Sequence, residues 1–350
     1  MLRMTRLSMA VITLAVTLFG DSVASESTSA RIVPSRRLPV PDSVTPRLRE
    51  ILSEAPQPSL KIPSTTEEWR ALATPDSGSD KLLIELQKQF DVQVSSETLG
   101  GVACFLVTPN TVKEINSHRL LIGFHSGGFV FSSGKSGLAE SIVTAHYTGT
   151  KVVSVDYRML PDYPFPAAMD DAMAVWKQAI RMYAPPNIAI FGSSVGGNMV
   201  LSLVQRARRE GLPLPGAVIS ATPWSDLSKT GDSYYANDGV DSAISYDGFW
   251  AAVARVYARG RDLKDPLLSP VYGEFSGFPP TFLITGTRDL FLSNTVRVQQ
   301  KLLDAGVYTQ LEVEEGQSHM EYLGAVLAGA REGVRLYVHI SQFVDTHLRR

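Results

Sequence analysis

Phe191-Gly192-Ser193-Ser194-Val195-Gly196-Gly197 decides how this chain is read. It follows the apolar, β-type run Asn187-Ile188-Ala189-Ile190 and opens the helical run Asn198-Met199-Val200-Leu201-Ser202-Leu203-Val204. A strand, then Gly-x-Ser-x-Gly, then a helix puts the central serine on a sharp, strained turn. Gly192 and Gly196 leave room for close backbone approach. Ser194 then projects above a sheet, with the backbone N–H of Val195 facing the same space. Taken alone, the pattern also fits a glycine-rich turn capped by serines. Its meaning rests on what the rest of the chain supplies.

Outward from this stretch, strand-like and helical runs alternate. Runs at 92–95 and 102–107 form a hairpin turned at Leu99-Gly100-Gly101, and six further strand-like runs fall at 119–124, 151–155, 187–191, 216–220, 281–285 and 309–313. Helical runs lie at about 136–147, 166–182, 195–210, 293–305 and 321–347. Such alternation predicts an α/β fold with a mainly parallel sheet of eight strands, covered by helices on both faces. Between Ser225 and Phe278 the alternation breaks. That interval holds a helix at about 247–259 and no strand, which is the pattern of a lid or cap over the sheet's carboxyl edge. The core is therefore expected at 91–225 and 279–350, with the cap insertion at 226–278.

The N-terminal part differs in composition. Arg3 and Arg6 precede the uncharged run Leu7–Phe19, with small residues around Ser22-Val23-Ala24-Ser25. This is the grammar of a secretory signal over residues 1–25, with export to the periplasm or the medium as its consequence. A stable membrane anchor is disfavoured, because a spanning helix needs about 20 apolar residues. Residues 26–90 read as a linker rich in Pro, Ser and Arg followed by short helices: a stretch within 41–52, a capped start at Thr65 with Glu68 three residues on, and Asp80–Phe90 with Leu82, Leu83, Leu86 and Phe90 on one face. A formal charge of −2 over 350 residues excludes the electrostatic signature of a nucleic-acid binder. The single cysteine, Cys104, lies in a strand-like run and reads as a buried small hydrophobe.

Acyl transfer by a serine needs a base, a carboxylate to orient the base, and donors for the developing oxyanion. Each belongs in a loop after a strand, because ligands of parallel sheets bind outside the strands' carboxyl ends. Of the six histidines, His319 alone stands between a strand and the last helical run, and it is the candidate base. His118, His146, His339 and His347 fit surface or packing roles. Asp289 follows the strand run Phe282-Leu283-Ile284 and is the candidate acid, ahead of Asp265 within the insertion and Asp304 within a helix. The chain order Ser194, Asp289, His319 is that of an α/β-hydrolase triad. Donors are expected in Phe124-His125-Ser126-Gly127-Gly128-Phe129, where Gly127 and Gly128 expose backbone N–H groups beside that of Val195. His125 and Ser126 support that loop.

Together these motifs resemble the hormone-sensitive-lipase-like (bacterial family IV) esterases of the α/β-hydrolase fold. Asp156-Tyr157-Arg158-Met159-Leu160-Pro161-Asp162-Tyr163-Pro164-Phe165-Pro166-Ala167-Ala168, Pro223-Trp224-Ser225-Asp226-Leu227 and Gly316-Gln317-Ser318-His319 add to the likeness, which runs from about residue 95 to the C-terminus. The resemblance implies a cap built from the N-terminal helices plus the insertion. Three positions depart from the family pattern: Ser126 for the first oxyanion-loop glycine, Ser193 for an Asp or other polar residue, and Ser293 for a second acid after Asp289.

These readings lead to a serine carboxylesterase acting on short- to medium-chain acyl esters through an acyl-enzyme. Its expected partner is a small-molecule ester, its chemistry calls for no metal or organic cofactor, and a homodimer is an open alternative to the monomer. Aromatic residues of the insertion (Tyr234, Tyr235, Phe249, Trp250, Tyr257) are candidates for the pocket wall or the core. A lactone, carbamate or amide hydrolase would use the same triad, and a non-catalytic ligand-binding protein could share the fold. Ser132-Ser133-Gly134-Lys135 and Lys229-Thr230-Gly231 mimic elements of penicillin-recognising enzymes, but Ser225-Asp226-Leu227 lacks the required Asn and the strand–helix order does not suit that fold.

Overall fold

Five adjacent strands, at 120–124, 152–155, 188–193, 217–221 and 281–286, carry side chains that need burial on both faces, and the structure buries them so. The structure, a computed structural model, describes residues 34–35, 37–54, 60–74, 79–112 and 114–349. Every element below lies in the compact unit Pro39–Arg350. The expected signal segment, 1–25, is outside the described residues.

The strands are β1 Val92–Leu99, β2 Val102–Pro109, β3 Leu120–Phe124, β4 Val152–Val155, β5 Ile188–Ser193, β6 Ala217–Ala221, β7 Thr281–Gly286 and β8 Thr309–Glu314. They form one sheet in the order β1-β2-β4-β3-β5-β6-β7-β8. β1, β2 and β4 pair antiparallel, and every pairing from β4 through β3 to β8 is parallel. The helices are α1 Pro46–Glu54, α2 Thr66–Ala73, α3 Ser79–Gln89, α4 Ala139–Thr148, α5 Ala167–Met182, α6 Val195–Arg209, α7 Ser233–Ala236, α8 Ala251–Ala258, α9 Leu292–Asp304, α10 Glu321–Leu327 and α11 Arg331–His347.

Alternation along the strands divides the core into two layers. Leu120, Ile122, Phe124, Ile188, Ile190, Val218 and Leu283 pack with α5, α6 and α9 on one face. Leu121, Ala189, Phe191, Ala217, Ile219, Phe282 and Ile284 pack with α4 and α11 on the other. All carboxyl ends of the parallel strands thus open to one edge, where the candidate site residues gather.

Three local expectations are corrected. Leu82 is 49% exposed while Leu83, Leu86 and Phe90 are buried, because the apolar stripe of α3 runs through 83, 86 and 90 at helical spacing. The expected helix at 247–259 starts with an irregular turn: Asp247 and Gly248 leave helical backbone, with Gly248 at φ +88°, and regular helix spans only α8. The expected single helix at 321–347 is two, α10 and α11. Gly329 at φ +71° ends the first, and Gly333 lets the second pack where a Cβ would sit 2.3 Å from Val326 N. The expected cap of α2 is present: Thr65 Oγ1 accepts from Glu68 N, and Glu68 Oε2 accepts from Ser64 N.

The three N-terminal helices go to different places. α1 and the turn before it pack on α10 and the turn after it, through Leu48 and Val44 with Ala325 and Ala330. α3 joins the α4 side of the core. α2 meets the segment between β6 and β7, through Trp69 against Phe249 at 5.7 Å between ring centroids. That segment is fastened at its base by the fully buried Asp226, whose Oδ2 accepts from Tyr272 Oη at 2.7 Å and Arg297 Nη1 at 2.6 Å.

Candidate active site

Ser194 sits between the end of β5 and the start of α6 with φ 57° and ψ −117°. A non-glycine residue rarely adopts that conformation, at a cost of about 1–3 kcal/mol, so the surroundings must impose it. They do so through the backbone. Ser194 N donates to Ala221 O at 2.9 Å, and Ser194 O accepts from Asn198 N and Trp224 N, each at 3.0 Å. A Cβ on Gly196 would lie 2.0 Å from Phe124 O, and one on Gly192 2.6 Å from the same oxygen. Both glycines are therefore required by the approach of the turn to the end of β3. Val195, as the first helical residue of α6, has an N–H without an intrahelical partner.

Asp289 lies in the loop after β7 and His319 in the loop after β8; they are 0% and 6% exposed. Asp289 Oδ2 accepts from Thr285 Oγ1 at 2.7 Å, and Oδ1 accepts from Phe291 N at 2.9 Å. His319 Nδ1 stands 3.2 Å from Asp289 Oδ1. With the carboxylate oxygen accepting, Nδ1 is the donor of this bond. Phe291 meets the imidazole edge-on at 4.9 Å.

Ser194 and His319 line one cleft of about 150 Å³ together with Ser126, Gly127, Gly128, Trp224, Ile244, Trp250, Phe291 and Met320. Gly127 and Gly128 hold φ of +107° and +64°. A Cβ on Gly128 would lie 2.1 Å from Trp250 Cζ3, so the insertion rests directly on the glycine loop. Of the insertion's candidate aromatics only Trp250 reaches the cleft. Tyr234, Phe249 and Tyr257 are core residues, and Tyr235 is 68% exposed. Trp224 stacks on Phe291 at 5.5 Å and meets Trp250 edge-on at 6.1 Å, which makes the wall largely aromatic.

His125 stays outside the cleft lining. Its Nδ1 donates to Ser126 O at 2.7 Å, its ring stacks on Tyr157 at 4.1 Å, and Tyr157 Oη donates to His125 O at 2.8 Å. Burial pushes the His125 pKa below the usual histidine range. Ser193 points away from the cleft side of the turn into a network with Glu140 and Tyr322. Burial raises the Glu140 carboxyl to about 7. Ser293 exchanges two hydrogen bonds with Ser233 of the insertion, each 2.9 Å, and so serves as a tie rather than an acid. Burial also raises the Cys104 thiol to about 12, which leaves it inert as a nucleophile.

Sequence reasoning did not assign Trp224, Ile244, Phe291 and Met320 to the cleft. Trp224 and Phe291 flank motif residues, so adjacency was their only signal. Ile244 lies in the insertion, where no pattern marks which residue turns inward.

A family profile described as alpha/beta hydrolase fold matches residues 121–323. A solved esterase, E25, is 42% identical and superposes with a TM-score of 0.87 over 92% of this chain and 100% of its own. The carboxylesterase NlhH of Mycobacterium tuberculosis is 30% identical over 71% of this chain and 79% of its own. An acetyl-hydrolase of Streptomyces hygroscopicus is 28% identical over 62% of this chain and 78% of its own. With the strand order, the serine turn and the two loops that bring Asp289 to His319, these matches lead to one conclusion: the chain belongs to the α/β-hydrolase family, among the hormone-sensitive-lipase-like esterases that its motifs resemble.

Proposed function

We propose that the protein hydrolyses short-chain carboxylic esters through an acyl-enzyme on Ser194. It is a carboxylic ester hydrolase by its relatives. The observation that carries the mechanism is the strained Ser194 lining the same cleft as His319, whose Nδ1 meets the buried Asp289. In this reading His319 Nε2 takes the proton as Ser194 Oγ attacks the ester carbonyl, and Asp289 stabilises the imidazolium. The N–H groups of Gly127, Gly128 and Val195 receive the oxyanion. The imidazolium then protonates the departing alcohol. Water activated by the same Nε2 releases the acid and restores Ser194.

The cleft supports the preference for short acyl chains. Its volume of about 150 Å³ and its closure by Trp250 over Gly128 leave room for a few carbons. The test is hydrolysis of p-nitrophenyl esters from acetate to palmitate beside Ser194→Ala. Turnover is expected to peak between acetate and butyrate, and the variant to lose several orders of magnitude. Full activity in the variant would refute the site. Export rests on the Arg3, Arg6 and Leu7–Phe19 pattern. Recovery from the periplasm or medium with a new N-terminus near Ser25 is the expected result, and an intact Met1 on cytoplasmic protein the contrary one.

A further inference from the structure

Asp241 lies in the segment between β6 and β7, far in sequence from the triad residues, and is only 2% exposed. Both of its carboxylate oxygens are occupied by backbone donors. Oδ1 accepts from Ala243 N at 2.8 Å and Ile244 N at 3.1 Å, which folds its own loop. Oδ2 accepts from Leu290 N at 2.7 Å and from His319 N at 3.2 Å. Leu290 directly follows Asp289, so one oxygen atom joins the acid-bearing loop to the base-bearing loop.

The neighbours of Asp241 reinforce the join. Asn237 Nδ2 donates to Asp289 O at 2.9 Å and to Thr287 O at 3.3 Å. Ser242 N donates to Ser318 Oγ at 3.0 Å, and Ser242 Oγ to Glu321 Oε1 at 2.5 Å. Glu321 Oε2 in turn accepts from Ser318 N at 2.5 Å. The stretch 237–242 therefore grips both loops on either side of the Asp289–His319 bond.

We infer that Asp241 is a positioning residue for the triad, a carboxylate lent by the insertion that fixes the Asp289 and His319 loops at their working separation. The inference rests on the triad reading above. Its physical basis is that the His319–Asp289 bond joins side chains of two separate loops, and a shift of either loop lengthens it. Hydrogen bonds from N–H to an ionised carboxylate are the strong kind. Asp289 and His319 are the titratable groups that face Asp241 from the packed loops: Asp289 opposes its charge and His319 favours it, while burial is the larger influence and lifts the Asp241 carboxyl to about 6. The same negative charge stabilises the imidazolium formed during attack.

Asp241→Asn tests this. It keeps the shape, but its one carbonyl oxygen can serve only one of the two N–H pairs, and its NH₂ must oppose the other. In the p-nitrophenyl butyrate assay the folded variant is expected to lose about 100-fold in kcat with KM within twofold, comparable to losing one precisely placed active-site donor. The acid limb of its kcat/KM profile is expected at lower pH, since a negative charge beside the imidazolium is gone. Native kcat, a loss confined to KM, or an unmoved acid limb overturns the inference. If circular dichroism shows that Asp241→Asn does not fold, Asn237→Ala on the more exposed side of the same stretch decides: a kcat loss of threefold or more at constant KM sustains the inference, and a smaller one overturns it. Ser194→Ala in the same assay separates the two layers, since an active Ser194→Ala enzyme refutes the triad itself, whereas an inactive one beside a fully active Asp241→Asn refutes only the role of Asp241.

Discussion

The Ser194 turn and the Asp289–His319 pair occupy one cleft but are held by opposite means. The turn is held by backbone: three hydrogen bonds between main-chain groups and two glycines whose hydrogens face Phe124 O. The pair is held largely by side chains: Thr285 Oγ1 donates to Asp289 from four residues before it, while Asp241 accepts from both loops and Asn237 and Ser242 fasten them from the segment between β6 and β7. A backbone-built element tolerates almost no change in residue size. An element tied by side chains keeps its fold when one tie is cut but loses its alignment.

That difference can be broken or sharpened by mutation. The largest effect is expected at the turn. Gly196→Ala puts a methyl 2.0 Å from Phe124 O, and the resulting overpacking is expected to cost on the order of 3 kcal/mol, read as a collapse of soluble yield or of the unfolding midpoint. Native stability in that variant would remove the claim that the backbone builds this element. Asp289→Asn should do the reverse. The fold is expected to survive, while kcat falls by about 10⁴, as the same change does in a serine protease triad, because the amide favours the wrong imidazole tautomer. A stability loss as large as that of Gly196→Ala would dissolve the contrast.

Smaller effects follow at the edges of the cleft. Trp250→Ala removes the wall over Gly128 and should raise kcat/KM for octanoate relative to acetate by about tenfold, in line with the worth of a few methylenes in an apolar pocket. An unchanged chain-length profile would move the limit to Trp224 or Phe291. A further effect, confined to a pH window, concerns the network beneath the turn. Burial lifts the Glu140 carboxyl from the ordinary 4.5 to about 7, so the folded protein holds a proton that the unfolded chain has lost. Between those values stability therefore falls as pH rises, and it levels off above about 7. Glu140→Gln should flatten the melting temperature over that window, as followed by differential scanning calorimetry. A slope equal to that of the native protein would assign it to another group.

Much of the site was readable before the structure because its motifs are local. Gly192-Ser193-Ser194-Val195-Gly196 carries its own backbone requirements; Gly127-Gly128 and Asp289 each follow an apolar strand run, and His319 follows the alternating run of β8. The strand boundaries shift by up to two residues except in β1, which runs four residues beyond 92–95, and the helices differ where a single glycine overrides a long periodic pattern, as at Gly248 and Gly329. The insertion was legible only as an interval without strands. Its aromatic residues looked alike in the chain, and burial separated Trp250 from Tyr234, Phe249 and Tyr257.

By itself the sequence determined the strand–helix alternation, the two-faced core and the glycine-flanked serine turn, and it placed the candidates Asp289 and His319 after their strands. Periodicity and glycine placement are properties of neighbouring residues, so they survive without knowledge of the fold. Only the tertiary structure decided that Trp250 closes the cleft, that Ser193 and Ser293 are structural ties, and that Asp241 bridges Leu290 N and His319 N. Those contacts join residues dozens of positions apart, and a carboxylate in a polar loop bears no local mark of the donors that the folded chain will bring to it.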